Sequence, residues 1–178
     1  AWAKSDSNSI LFDLSLLNER ETYVSNARVT DIVGFTSSAS SDSFRMDLTA
    51  PLQGTLSIGD LYQSDTANVT FTWAGFVDEH SGIGDYHYSL GTQPGSDDVI
   101  PRTPLGLNAD FASLAITISG LSLQVNQTYY GTVYALDKVA NETFAISDGL
   151  TIDRDGPESG TIFDGIVADI DHSNDTTS

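Results

Sequence analysis

Carboxylates are the most abundant reactive groups in this chain. Its 178 residues carry 25 aspartates and glutamates against seven lysines and arginines, a formal charge of −18. Closely spaced carboxylates on loops can converge on calcium, a hard cation that takes roughly six to eight oxygen ligands. The stretch DRDGPES (153–159) supplies Asp153, Asp155 and Glu158. Asp137 or Asn141 in one loop, and Asp78 with Glu79 in VDEHSG, are expected to approach the same end of the fold. These residues form the candidate calcium set, with an uncoordinated polar linker as the alternative, because the D-x-D spacing lacks the rest of an EF-hand loop.

Other chemistry is poorly supplied. With no cysteine there is no disulfide, zinc–thiolate site or thiol nucleophile. No Gly-x-Ser-x-Gly is present, and the serines gather in stretches such as TSSASSDS (36–43), which reads as solvated linker. His80, His87 and His172 fall in three separate segments, and His87 reads as a surface residue on a strand face opposite Tyr86 and Tyr88. Among so many acids some glycosidase-like carboxylate pair is inevitable, so such a pair carries no information. No glycine-rich phosphate loop precedes a helix. The expectation is a chain that is not an enzyme.

The negative field makes nucleic acid and anionic membranes poor partners. It fits a solvated, self-repelling surface, calcium binding or life in salty water. No apolar run approaches the ~18 residues of a membrane span. The N-terminal AWAKSDSNS has neither an initiator Met nor a basic and apolar leader, so the chain reads as processed or excised. Four N-x-[ST] signals occur, at Asn68, Asn126, Asn141 and Asn174. They lie near expected turns and strand starts, where a glycan would project into water. In a eukaryotic secretory source at least two are expected to carry glycans.

The elements that must position these groups are strands. NVTFTWAGF (68–76), DYHYSLGT (85–92), SLAITISGLSL (113–123), TYYGTVYALD (128–137) and FAISDGLTID (144–153) alternate apolar and polar residues, the last with a bulge expected at Asp148–Gly149. In the fourth, Tyr129, Gly131, Val133 and Ala135 share one face; Tyr130, Thr132, Tyr134 and Leu136 share the other. Short strands rich in Thr, Val, Ile and Tyr predict an all-β antiparallel sandwich.

One of these strands has an echo. TYVSNARVTD (22–31) matches TYYGTVYALD, and Tyr23 and Tyr129, Asp31 and Asp137, Asp47 and Asp153, Pro51 and Pro157, and Gly54 and Gly160 are all separated by 106 positions. A constant offset predicts tandem modules with a period of about 106 residues, each large enough to hold its own core. Residues 1–50 then form the C-terminal part of a preceding module, 51–156 a complete module, and 157–178 the first strand or strands of a following one. The two partial segments together fall short of a module, so head-to-tail exchange between copies would not complete one.

These residues resemble the fibronectin type III and related immunoglobulin-like repeats of extracellular proteins. Trp73 falls where that family places its core Trp on the second strand. Tyr129 followed by Gly131, Val133 and Ala135 fits its Y-x-x-x-V-x-A strand. The resemblance implies that Tyr129, and Tyr23 in the echo, form tyrosine corners. WAGFVDEHSGIGDYHYSLGTQPGSDDV (73–99) is similar to an acidic W-x-G-F-x-D-x-x-S-G-I variant found in tandem cell-surface arrays. The echo departs from the pattern at Ser25 and Ala27, and no Arg-Gly-Asp tripeptide is present. The resemblance implies a non-catalytic structural or adhesive segment of a long extracellular protein: a stalk, spacer or filament subunit. Its partners would be neighbouring modules, other copies or surface proteins. Two alternatives stand beside it. One is a carbohydrate- or protein-binding module that uses Tyr130 and Tyr134 as a stacking platform. The other is an accessory segment of a large secreted enzyme.

Overall fold

A computed structural model describes residues 14–106 and 113–160. Most of the segment expected to open a following module, together with Asn174 and His172, lies outside the described residues. Within them the protein is nearly all β, in eleven strands.

The first sheet of the sandwich is built on β5, Asn68–Ala74, whose burial alternates along the strand. Val69, Phe71 and Trp73 are almost completely buried. The intervening threonines face water, because successive strand side chains point to opposite faces. On one side β5 pairs antiparallel with β3 (Thr55–Ser57), on the other with β8 (Ser113–Ser119). Opposed Thr70 and Thr117 join their hydroxyls across the outer face at 2.9 Å.

The second sheet centres on β9, Thr128–Asp137. It pairs with β6 (Ile83–Gly91), and β6 with the edge strand β7 (Ile100–Pro104). Pro101 and Pro104 suit β7 to that edge, where a missing N–H is tolerated. The other side of β9 is shared by β10 (Glu142–Ile146) and β11 (Leu150–Ile152), and β11 also pairs with the two-residue β4 (Tyr62–Gln63). β10 and β11 are one strand interrupted at the expected bulge. There Ser147 substitutes for the ladder, its hydroxyl accepting from the Gly131 N–H at 2.9 Å and its own N–H donating to the Gly131 carbonyl at 2.9 Å.

Between the sheets Phe71, Trp73, Phe76, Tyr86, Leu90, Val133, Leu150 and Ile152 pack into one core. Each large apolar side chain buried there contributes about 1.5–3 kcal/mol. Tyr86 lies edge-on to Phe76 and tilted against Trp73, with ring centroids 5.8 and 5.5 Å away. Gly131 permits the closest approach of the two sheets: a Cβ there would lie 2.5 Å from Ile58 and 2.8 Å from Phe71. Thr132 departs from strict alternation. It is buried although it lies on the outward face of β9.

Residues 36–43, read from sequence as solvated linker, lie instead in a strand. β1 (Thr22–Thr30) and β2 (Thr36–Arg45) form an antiparallel hairpin. β2 is exposed along its whole length, so it shows no hydrophobic alternation that would reveal it. Seven of the eight register pairs of this hairpin have a counterpart 106 positions on, among them Thr30↔Thr36 with Leu136↔Glu142 and Tyr23↔Phe44 with Tyr129↔Leu150; Val24↔Ser43 has none. The bulge recurs too, with the Ser41 hydroxyl accepting from the Ser25 N–H at 3.0 Å as Ser147 does from Gly131.

Candidate functional site

The chain leaves the β1–β2 hairpin through Asp47 and enters the sandwich beside two loops. The first loop, after β5, carries Asp78. Its Oδ1 accepts the N–H groups of His80, Ser81 and Gly82 at 3.1, 2.8 and 2.7 Å. The second follows β9. There Asp137 Oδ1 accepts the Val139 and Asn141 N–H groups at 2.9 and 2.8 Å. Carboxylates at such turns replace ladder bonds that the strand end has lost. Asn141 then ties the second loop to the junction, its Nδ2 donating to Asp137 Oδ2 at 2.7 Å and to the Asp47 and Thr49 carbonyls at 3.3 and 3.4 Å.

Asp47 is the centre of this arrangement. Its side chain is only 5% exposed, and Oδ1 accepts the Thr49 N–H at 3.1 Å. Oδ2 is fully buried and has no hydrogen-bond donor. One oxygen from each of Asp47, Asp78 and Asp137 lies within 4.8 Å of the other two. Asp47 also belongs to a second group, with Glu19 and His80, whose Nδ1 stands 3.8 Å from Asp47 Oδ1. Burial pushes the Asp47 carboxyl up. The Ser81 hydroxyl, the Thr49 N–H and the nearby His80 outweigh it and hold the group below the usual aspartate range. Glu19 is likewise held down, chiefly by the Thr49 hydroxyl, so both groups are ionised at neutral pH.

Of the six carboxylates in the candidate calcium set, the structure brings together Asp78 and Asp137. Glu79 falls outside both groups. Asp153 and Asp155 do not share that end with them. Ile152 bonds to the Gln127 carbonyl beside the first residues of β9, whereas Asp137 closes the far end of that ten-residue strand. Asp155 instead donates its N–H to Asp153 Oδ1 at 2.9 Å in an exposed turn. Sequence reasoning passed over Asp47 because it stands alone in DLTAP, and over Glu19 because it precedes the first strand. The available signal was the repeat itself, which aligns Asp47 with Asp153.

Trp73 is buried in the core. The Tyr129 hydroxyl accepts the Gln124 N–H at 2.8 Å, and the Tyr23 hydroxyl accepts the Asn18 N–H at 2.7 Å, the same corner in both hairpins. The glycosylation signals differ in setting. Asn126 is exposed in a turn, with a left-handed φ of 63°. Asn68 donates to Asp65 at 2.8 Å, and Asn141 faces the junction.

On the outer face of the second sheet, Tyr134 is not an open platform. The Arg102 guanidinium sits 4.0 Å from its ring centroid, held there by Glu142 and by the Nδ1 of His87 at 3.0 Å. Phe144 flanks the ring with its centroid 6.0 Å away. His87 does lie on the face opposite the buried Tyr86. A cavity of about 240 Å³ opens elsewhere, between residues 56–61 and Asp148–Gly149.

No protein-family model and no curated protein matches this chain. Among solved structures it is similar to an Fn3-like protein from Clostridium thermocellum, at 23% identity and a TM-score of 0.36, with 62% of this chain and 100% of that one covered.

Proposed function

We propose that this chain is a non-catalytic segment of a long extracellular protein built from tandem fibronectin type III-like sandwiches, working as a stalk, spacer or filament subunit. The observation that carries this reading is the recurrence of one hairpin. Register, bulge, tyrosine corner and aspartate turn are all reproduced 106 positions apart. Residues 1–50 are then the closing strands of one module and 51–156 the whole of the next. The junction clamp of Asp47, Thr49 and Asn141 supports a spacer, because it ties the two units without a free linker. The tandem-stalk reading is preferred over a carbohydrate platform because Arg102 covers Tyr134.

Pulling on the parent protein from its native source tests the reading directly. Force spectroscopy should show repeated unfolding events with equal contour gains of roughly 350 Å, since extended chain spans at most about 3.3–3.6 Å per residue. An antibody raised against residues 51–156 should label intact, unpermeabilised cells. A single event of unrelated length overturns the tandem reading, and labelling that requires permeabilisation overturns the extracellular one.

A further inference from the structure

We propose that Asp47, Asp78 and Asp137 form a site for one hard divalent cation of the calcium class, which locks the β1–β2 hairpin to the sandwich. The proposal stands on two independent observations. The first is convergence: three carboxylates from three separate segments place oxygens within 4.8 Å of one another. The second is the state of Asp47 Oδ2, sealed from water inside a side chain that is 95% buried and without a hydrogen-bond partner, the Ser81 hydroxyl lying near the carboxylate but not in bonding geometry with this oxygen. A buried ionised oxygen without a partner is costly, and such groups are normally paired or bound to a metal.

No lysine or arginine fills that role. Among the described residues none of the three aspartates has a lysine or arginine within ion-pair distance, and the nearest basic group to Asp47 is the His80 ring, its Nδ1 3.8 Å from Oδ1. Arg20 and Arg45 line a cavity of about 150 Å³ beside Asp47 but neither pairs with it; Arg45 donates to the Arg20 carbonyl at 3.0 Å. An all-carboxylate set favours calcium or magnesium over softer metals, which prefer nitrogen and sulfur. The Asp78 and Asp137 oxygens are held by backbone N–H groups, so the loops are ordered in advance. Water completes the shell, as it does in many calcium sites. The site is defined by residues 19–141 and does not depend on the tandem, extracellular reading.

The test is calcium titration of the full 178-residue chain after chelator treatment, followed by calorimetry and thermal melting. The expected result is saturable binding at one site, with a higher melting temperature in calcium than in chelator. Asp47→Asn, which keeps the acceptor for Thr49, should weaken binding at least tenfold and abolish the thermal gain. In chelator it should melt no lower than the parent. Asp153→Asn at the opposite pole should leave both unchanged. If Asp47→Asn does not fold, amide shifts of the parent chain on calcium addition decide: they should concentrate at 47–49, 78–82 and 137–141. Equal melting in calcium and chelator, a thermal gain that survives Asp47→Asn, or shifts confined to other segments each overturn the proposal. So does stabilisation by zinc but not calcium that is lost in His80→Ala, which would assign the metal to Glu19, Asp47 and His80.

Discussion

Two hairpins in this chain share a backbone and differ in almost everything that touches it. β1–β2 and β9–β10–β11 have the same register, the same serine-filled bulge and the same left-handed residue before the first strand, Arg20 in one and Asn126 in the other. Yet Val133, Ala135 and Leu150 are wholly buried, whereas Val29 and Phe35 are 67% and 77% exposed. The shared parts are local. Tyrosine corner, aspartate turn and serine bulge are bonds between near neighbours or directly paired strands, so they specify a hairpin without a core. What turns that hairpin into half of a sandwich is the side-chain set on one face. There the second copy has Gly131 and Val133 where the first has Ser25 and Ala27.

Five substitutions, four at matched positions and one at a position without a match, sharpen this contrast. The largest effect is expected at the pair Leu150 and Phe44. Leu150→Ala empties a fully buried site and should destabilise the sandwich by about 3 kcal/mol in denaturant melts. Phe44→Ala, on the exposed hairpin, should cost less than about 0.5 kcal/mol in the same transition. Equal losses would mean that the hairpin and the sandwich unfold as one unit.

Next comes the exchange of the first hairpin's serine into the second. Gly131→Ser forces a side chain against Ile58 and Phe71 and should cost about 1–3 kcal/mol through overpacking. Ser25→Gly, where no sheet among the described residues faces the strand, should leave the melting temperature unchanged. A tolerated Gly131→Ser would show that the sheets can separate locally, and that the closeness of the second hairpin to its neighbour is not fixed.

The smallest effect belongs to a loop that the first hairpin lacks. Between β6 and β7 the Ser96 hydroxyl, the Thr92 N–H and the Thr92 hydroxyl all donate to Asp98 and lower its carboxyl to about 2. Because the folded value is depressed, the loop's contribution is complete above the unfolded value near 3.8 and fades as pH falls from there towards 2. Asp98→Asn should flatten that part of the stability–pH curve and leave the curve above pH 5 nearly parallel to the parent's. An unchanged acid limb would show that the loop bonds are not linked to folding.

The strands that were legible in the sequence are those with something to bury. Alternation in NVTFTWA and TYYGTVYALD announced β5 and β9, and Ser-Asp-Gly announced the break between β10 and β11. β2 was missed because, apart from Ala39 and Phe44, its residues are serine, threonine and charge, which carry no alternation of hydrophobicity. β3 and β4 were missed because two or three residues are too few to show a period. The junction was half legible. Asp78 and Asp137 stand out in turn sequences, but their convergence with Asp47 depends on where the hairpin meets the sandwich, which no local spacing encodes. Arg102 over Tyr134 was hidden for the same reason, since the two residues come from separate strands, β7 and β9, that flank β6.

The Asn141 amide turns the junction into a matter of timing. Its nitrogen carries two hydrogens, and three oxygens in two segments compete for them. Attachment of a sugar would use that same nitrogen, replacing one hydrogen with a bulky group aimed at Asp47 and Thr49. Glycan and clamp are therefore rival fates of a single atom. In a secretory cell the outcome would be decided by which comes first, the transferase or the closing of the hairpin onto the sandwich.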